Sequence, residues 1–164
     1  RTCSGCWLTV VSNGSDEKSQ SSAAEVAPLA GKNDSDGGMM EFVLDIGGEG
    51  RHEEAWNLNP RALRTIGPRR GEPIARRIAG RAGAIPLADE SVDRIVMERT
   101  PLTRAALVEM ARVAKAQGTI TLRHATSPSF DPHRLARQIL PGWKSERSVQ
   151  IGRQVLQETC FQLR

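Results

Sequence analysis

Three groups of residues in this chain have the types and spacing for chemistry at the end of a strand. The first is Asp45 followed by Ile46-Gly47-Gly48-Glu49-Gly50. Without Cβ atoms at 47, 48 and 50, a ligand can approach the backbone N–H groups, and Asp45 adds a carboxylate at the strand tip. Such a loop suits a nucleotide-like or amino-acid-bearing cofactor; a tight turn uses glycines in the same way. The second is Glu98, placed to act as a base or to hold a substrate amine, or else to pair structurally with Arg99 or Arg104. The third is the pair His52 and His124, which together with an arginine have the groups for acid–base cleavage of RNA, though a polar residue at a strand end needs no such role. His133, beside Pro132 in a helix's first turn, reads as a surface residue. The pattern G-x-x-x-x-G-K-[ST] does not occur, which argues against a phosphate-cradling nucleotide hydrolase. Cys3 and Cys6 form a single C-x-x-C, with Cys160 far away, so neither a metal site nor a disulfide framework is expected.

The elements that must position these residues follow from periodicity and punctuation. EFVLD (41–45) reads as a buried parallel strand ending in the glycine loop, and AWNLN (55–59) as the next strand. Asn59 and Pro60 are an N-cap and first-turn proline, predicting a brief helix through PRALRT, with 68–73 as loop. IARRIAG (74–80) fits a strand or a helical turn. VDRIVME (92–98) is a clear strand. TRAALVEMARVAKAQG (103–118) predicts a helix capped by Thr103 and ended by Gly118, with Leu107, Met110, Ala111 and Ala114 on one face. TITLRH (119–124) alternates as a strand. Asp131-Pro132 opens a helix with Leu135, Ile139 and Leu140 inward, stopped by Pro141-Gly142. KSERSVQI (144–151) and QVLQETCFQL (154–163), joined by Gly152-Arg153, read as an antiparallel hairpin. The sum is an α/β sheet, mostly parallel, with a C-terminal antiparallel hairpin. Ligands on such sheets sit beyond the carboxyl ends of the strands, where the loops after Asp45, Asn59, Glu98 and His124 meet.

The 164 residues suffice for one modest core, and aromatics are only 4 %, so core side chains are few. Residues 1–39 are rich in Ser and Gly and read as a disordered tether or upstream remnant; residues 40–164 form the domain. No apolar run approaches the ~20 residues of a membrane span. The net charge of +4 hides an uneven distribution: between Arg51 and Arg81 eight arginines face three acids. That density is either a solvated face or a site for a polyanion or phosphate-bearing ligand. Aromatics are not interleaved with these arginines, so no base-stacking platform is expected.

The segments FVLDIGGEG, GRAGAIPLADESVDRIVMERT and ALVEMARVAKAQGTITLRH together resemble the class I S-adenosylmethionine-dependent methyltransferases. In that family a strand ends in D-x-G-x-G, a G-x-A-x-x-L-P-x-x-D-x-S-x-D segment leads into the fourth strand, and R-V-L-K-P-G-G leads into the fifth. The resemblance implies a reduced Rossmann-like methyltransferase sheet with S-adenosylmethionine held by Asp45, Gly47, Gly48 and Gly50. It also brings departures. Only Arg51 to Trp56 separate Gly50 from Asn57, too few for the family's first helix, so Arg51 and His52 are left to supply positive charge. Asn59 stands where the family's ribose-holding acid does. Arg81 stands near the adenine position, which leaves the adenine to backbone groups around Ala82 or Gly83. Glu98 and His124 are the expected catalytic groups, and His52 and Arg81 the expected substrate contacts.

DIGGEGRHEEAWNLNP and MERTPL are further similar to methyltransferase-like domains at the carboxyl ends of bacterial polymorphic toxins. That implies a module delivered with a larger secreted protein, acting in a cytoplasm and met by an acidic immunity protein. The expected function is methyl transfer from S-adenosylmethionine to a nucleic acid or other anionic acceptor. A nuclease on a degenerate methyltransferase fold, or a non-catalytic binding module, are the alternatives.

Overall fold

The computed structural model describes residues 40–127 and 129–164; the tether expected over 1–39 and the Cys3–Cys6 pair lie outside the described residues. Nine elements follow in the order β1 (Val43–Ile46), β2 (Trp56–Leu58), β3 (Arg77–Ile78), β4 (Val92–Glu98), α1 (Arg104–Val113), β5 (Ala114–His124), α2 (Arg134–Ile139), β6 (Trp143–Ile151) and β7 (Gln154–Gln162). They build a seven-stranded sheet of order β3-β2-β1-β4-β5-β7-β6. The first five strands run parallel, and β7 and β6 close the edge antiparallel. The fold class expected from the sequence is therefore the one observed.

Alternation along the strands sorts the sheet into two unlike faces. Leu44, Ile46, Leu58, Ile95, Met97, Ile120, Leu122 and Phe161 share one face, which packs with Leu107 and Met110 of α1 and Ala136 of α2 into a single apolar cluster. The other face carries Asp45, Asn57, Arg94, Glu98, Thr121, Arg123, Glu158 and Cys160. Among the described residues no helix covers it, because the connections 47–55, 59–76 and 79–91 contain none. The absence of a helix after Gly50 matches the short spacing in the sequence.

α1 sits where its stripe predicts, with the Thr103 hydroxyl accepting from the Ala106 N–H at 3.2 Å. Its far side grips the helix-free segment before β4: Arg112 donates to the carbonyls of Ile85 and Leu87 at 2.9 Å, and Glu109 accepts from the Ile85 N–H at 2.8 Å. The Arg112 bonds and that N–H hold the Glu109 carboxyl down at about 2, so this clamp stays charged.

Three expectations require correction. The helix at 103–118 ends at Val113, and β5 starts at once. Gln117 and Gly118 exchange backbone bonds with Leu163 beyond β7, at 3.1 and 3.0 Å, and this strand pairing overrides the local helix preference. The brief helix through PRALRT does not form either. The Asn59 side chain accepts from the Arg61 N–H two residues on, an Asx turn in place of a cap, and the chain continues into an irregular hairpin. Finally, His133 is wholly buried, not a surface residue, since α2's first turn tucks its ring beneath β7.

Because α1 is the larger of the two helices that seal the apolar face, Leu107→Ala should cost about 3 kcal/mol of stability, while Val108→Ala on its exposed side costs less than ~0.5 kcal/mol, by urea unfolding.

Candidate functional site

Asp45 lies on the helix-free face, flanked in register by Asn57 of β2 and Val96 of β4. It is 3 % exposed, and the glycine loop is the reason. The chain folds back so that a Cβ on Gly48 would collide with the Asp45 carboxylate and the Asn57 amide oxygen. Gly47, at φ +75°, presses against the Thr100 hydroxyl in the same way. Burial raises the Asp45 pKa; His52, Arg51 and Arg123 oppose this, while Glu98 adds to it.

The loop is closed by bonds within the chain. Gly47 N–H donates to the Leu58 carbonyl and Gly50 N–H to Asn57 Oδ1, both at 2.9 Å. Asn57 donates in turn to the carbonyls of Ala55 and Ala75. Sequence reasoning passed over Asn57. Its only signal was an amide two residues before Asn59, on the strand face of Asp45. Asn59 donates to the Gly48 carbonyl at 3.1 Å, so β2 and the residue just beyond it brace the loop from two positions.

Glu98 ends β4 on the same face as Asp45, and its side chain is 5 % exposed. Its expected alternatives were Arg99 or Arg104; Arg99 does approach, at 3.7 Å, but the direct partner is Arg51 at 2.8 Å. From there the charges alternate across the sheet. Arg123 of β5 stands 3.9 Å from Glu98 and donates to Glu158 of β7 at 2.6 Å, and Arg147 of β6 donates to the other Glu158 oxygen at 2.6 Å. Burial alone would raise the Glu158 pKa, but the two arginine hydrogen bonds outweigh it and hold the carboxyl low.

The two histidines expected to cooperate are separated. His52 lines a cleft of about 280 Å³ with Arg94, Val96, Thr121 and Arg123 on the helix-free face, its Nε2 buried without a hydrogen-bond partner. His124 is on the other side of β5, and both its nitrogens are engaged. Nε2 lies 2.6 Å from the Thr100 carbonyl, which can only accept, so Nε2 carries the proton. Nδ1 then accepts from His133 Nε2–H at 2.9 Å, and His133 Nδ1 accepts from the Thr159 hydroxyl at 2.7 Å. The tautomers of both rings follow from one carbonyl. Burial pushes His133 down to about 4, assisted by His124, and lowers His124 as well. Thr100, held by this relay, donates from Oγ1 to the Ile46 carbonyl at 3.1 Å and so reaches the glycine loop.

Arg81 and Ala82 form a tight turn closed by Ala84 N–H on the Arg81 carbonyl at 3.0 Å, Arg81 outward and Ala82 half-buried against the core. The neighbouring Gly80 packs on Leu58 at the end of β2.

No protein-family model matches the sequence, and no curated protein matches it. Solved structures do. An S-adenosylmethionine-dependent methyltransferase from Methanosarcina mazei superposes with a TM-score of 0.57 at 14 % identity, over 76 % of this chain and 94 % of that one. The 1,6-didemethyltoxoflavin-N1-methyltransferase of Burkholderia thailandensis, solved with S-adenosylhomocysteine, matches with a TM-score of 0.54 at 11 % identity over 74 % and 70 %. An S-adenosylmethionine-dependent methyltransferase from Aquifex aeolicus gives 0.50 at 16 % identity over 75 % and 82 %. At these identities the likeness is one of fold: the chain has the sheet of these methyltransferases.

The buried titratable groups make stability depend on pH. Asp45 has a raised pKa, so the native state loses stability as pH rises from the ordinary carboxylate value through the raised one. Asp45→Asn should therefore raise the melting temperature at pH 7, with the gain vanishing towards pH 3. The histidines shift the other way. The unfolded chain binds protons that the buried rings refuse, so stability should fall between pH 6.5 and about 4, by up to roughly 3 kcal/mol for His133. Urea unfolding across that range checks it, and Thr159→Val, which orphans His133 Nδ1, should cost about 1–3 kcal/mol at pH 7.

Proposed function

We propose that this domain binds S-adenosylmethionine at the carboxyl edge of β1 and β4 and transfers its methyl group to an acceptor. The observation that carries the reading is the glycine loop seated on a buried Asp45 beside Arg51, His52 and Glu98, on a sheet of methyltransferase order. The donor set fits the amino-acid end of that molecule. Asp45, buried beneath Gly48, sets a negative field for its ammonium and sulfonium charges, and Arg51, with a third of its side chain exposed, offers a guanidinium to its carboxylate. At the nucleoside end Asn59 stands beside the loop, and the turn at Ala82 and Gly83 presents backbone groups.

When bound, the cofactor supplies an already activated methyl group, so the chain has little covalent work to do and acts by alignment. Glu98 faces the acceptor and orients it. His124 is a positioning residue: its bond to the Thr100 carbonyl keeps that loop against Gly47. A nuclease using His52 and His124 would have to break that relay and bring together two rings on opposite sides of the sheet. The finer reading, a toxin's effector domain, rests on the segments DIGGEGRHEEAWNLNP and MERTPL and is tested by growth arrest on induced expression in a bacterium.

Calorimetric titration of the full chain with S-adenosylmethionine and S-adenosylhomocysteine should show saturable binding, weakened at least tenfold in Gly48→Ala, where a methyl group meets Asp45. A folded protein giving no heat at millimolar ligand would overturn the proposal.

A further inference from the structure

The segment that replaced the expected helix after β2 is a hairpin that protrudes next to the glycine loop. Ile74 N–H donates to the Ala62 carbonyl and Arg64 N–H to the Glu72 carbonyl, both at 2.9 Å, with Gly71 N–H returning to Arg64 at 3.0 Å. Leu63 and Pro73 form an antiparallel bridge between the arms. The tip turns through Gly67 and Gly71, at φ +78° and +89°, where an added Cβ would meet open space. These glycines therefore serve the turn and not any packing.

Charge on this hairpin and its flanks is one-sided. Residues 61–81 hold seven arginines, no lysine and one acid, Glu72, which pairs with Arg69 at 2.6 Å. Arg61, Arg69 and Arg70 are exposed. Arg64 lies over Gly50 with its Nε buried and lacking a hydrogen-bond partner. The base is fixed: Glu49, from the glycine loop, accepts from Thr65 N–H at 2.9 Å, from the Thr65 hydroxyl at 2.6 Å and from Ile66 N–H at 3.2 Å. A solvated face would mix signs. A rigidly anchored ribbon whose cations are all guanidinium forks, with Glu72 its one acid, matches a row of phosphates.

We propose that the hairpin 62–74 is a nucleic-acid-binding finger that grips the phosphate backbone of a duplex without reading its sequence. A two-stranded ribbon has the width of the DNA major groove, about 12 Å. The absence of aromatics from 61–81 removes the aromatic platform on which unpaired bases stack, which favours a duplex over a single strand. Ile66 and Leu63, about half exposed, are too few to anchor an anionic membrane surface. The finger needs no bound cofactor, so its test stands or falls apart from the methyl-transfer reading.

The test is fluorescence anisotropy of the full chain, without cofactor, on a labelled 24-base-pair DNA duplex, an unrelated duplex and a single strand, from 50 to 200 mM salt. Expected is equal affinity for both duplexes, weaker binding of the single strand, and at least a tenfold loss across the salt range. Arg69→Gln with Arg70→Gln should lower the log–log salt slope by about 2, and Arg70→Gln alone by about 1, at unchanged melting temperature. Arg153→Gln, in the β6–β7 turn, should change nothing. No duplex binding at 50 mM salt, single-strand binding as tight as the duplex's, or a slope indifferent to Arg70→Gln would overturn the proposal.

Discussion

Every other feature of this domain depends on a sheet with a helical cover on one face only. A parallel sheet ordinarily buries both faces beneath its crossover helices, and its strands are then continuously apolar. Here three successive connections lack a helix, so most of the apolar side chains go to one place, between the sheet and α1 with α2. The opposite face has no such layer among the described residues, and its strands carry Asp, Asn, Arg, Glu and Thr beside Val43 and Val96. Residues 119–123 of β5 thus alternate as antiparallel strands usually do, while β1 and the end of β4 are buried on both faces. Arg112 and Glu109 complete the scheme by tying the helix-free run before β4 to the surface of α1.

The polar face holds three carboxylates, all nearly buried, and their fates differ with their partners. Glu158 has two arginines at 2.6 Å, and pairing outweighs desolvation. Glu98 shares Arg51, Arg99 and Arg123 at 2.8, 3.7 and 3.9 Å. Asp45 has cations only as neighbours in its field, and burial wins. An acid left in that condition is destabilising unless it does something else, and the groups around it are those that would meet a zwitterion. The neutral histidine relay is the contrasting solution on the other side of β5, where each polar atom has a partner and no charge is needed.

Local signals made much of this legible. VDRIVME is β4 to the residue; Thr103 caps α1; Gly152-Arg153 turns the final hairpin. The glycine loop and Asp45 could be placed at a strand tip because three glycines after an acid have few other uses. What escaped depended on partners far along the chain. Val113 ends the helix because Leu163 claims Gln117 and Gly118. Asn59 is an excellent cap by type, yet Glu49 captures the N–H groups of Thr65 and Ile66 that a helix would need. His133 looks exposed beside a proline, and only Thr159 and His124, 26 and 9 residues away, explain its burial. Asn57 gave no pattern at all: its role exists only once β2 lies next to β1.

One-sided coverage also divides the evolutionary freedom of each strand residue by residue. Leu122 and Ile120 must match the volume of a packed interior, where a methyl group more or less is felt. Their neighbour Thr121, facing the cleft, answers only to β preference and to its surroundings of water and charge. Substitutions accumulating in such a domain will leave a record with the two-residue period of the pleat, slow on one face and fast on the other. Its lineage is then preserved chiefly in alternate letters, interrupted by the few polar positions, Asp45, Asn57 and Glu98, that the open face holds in place.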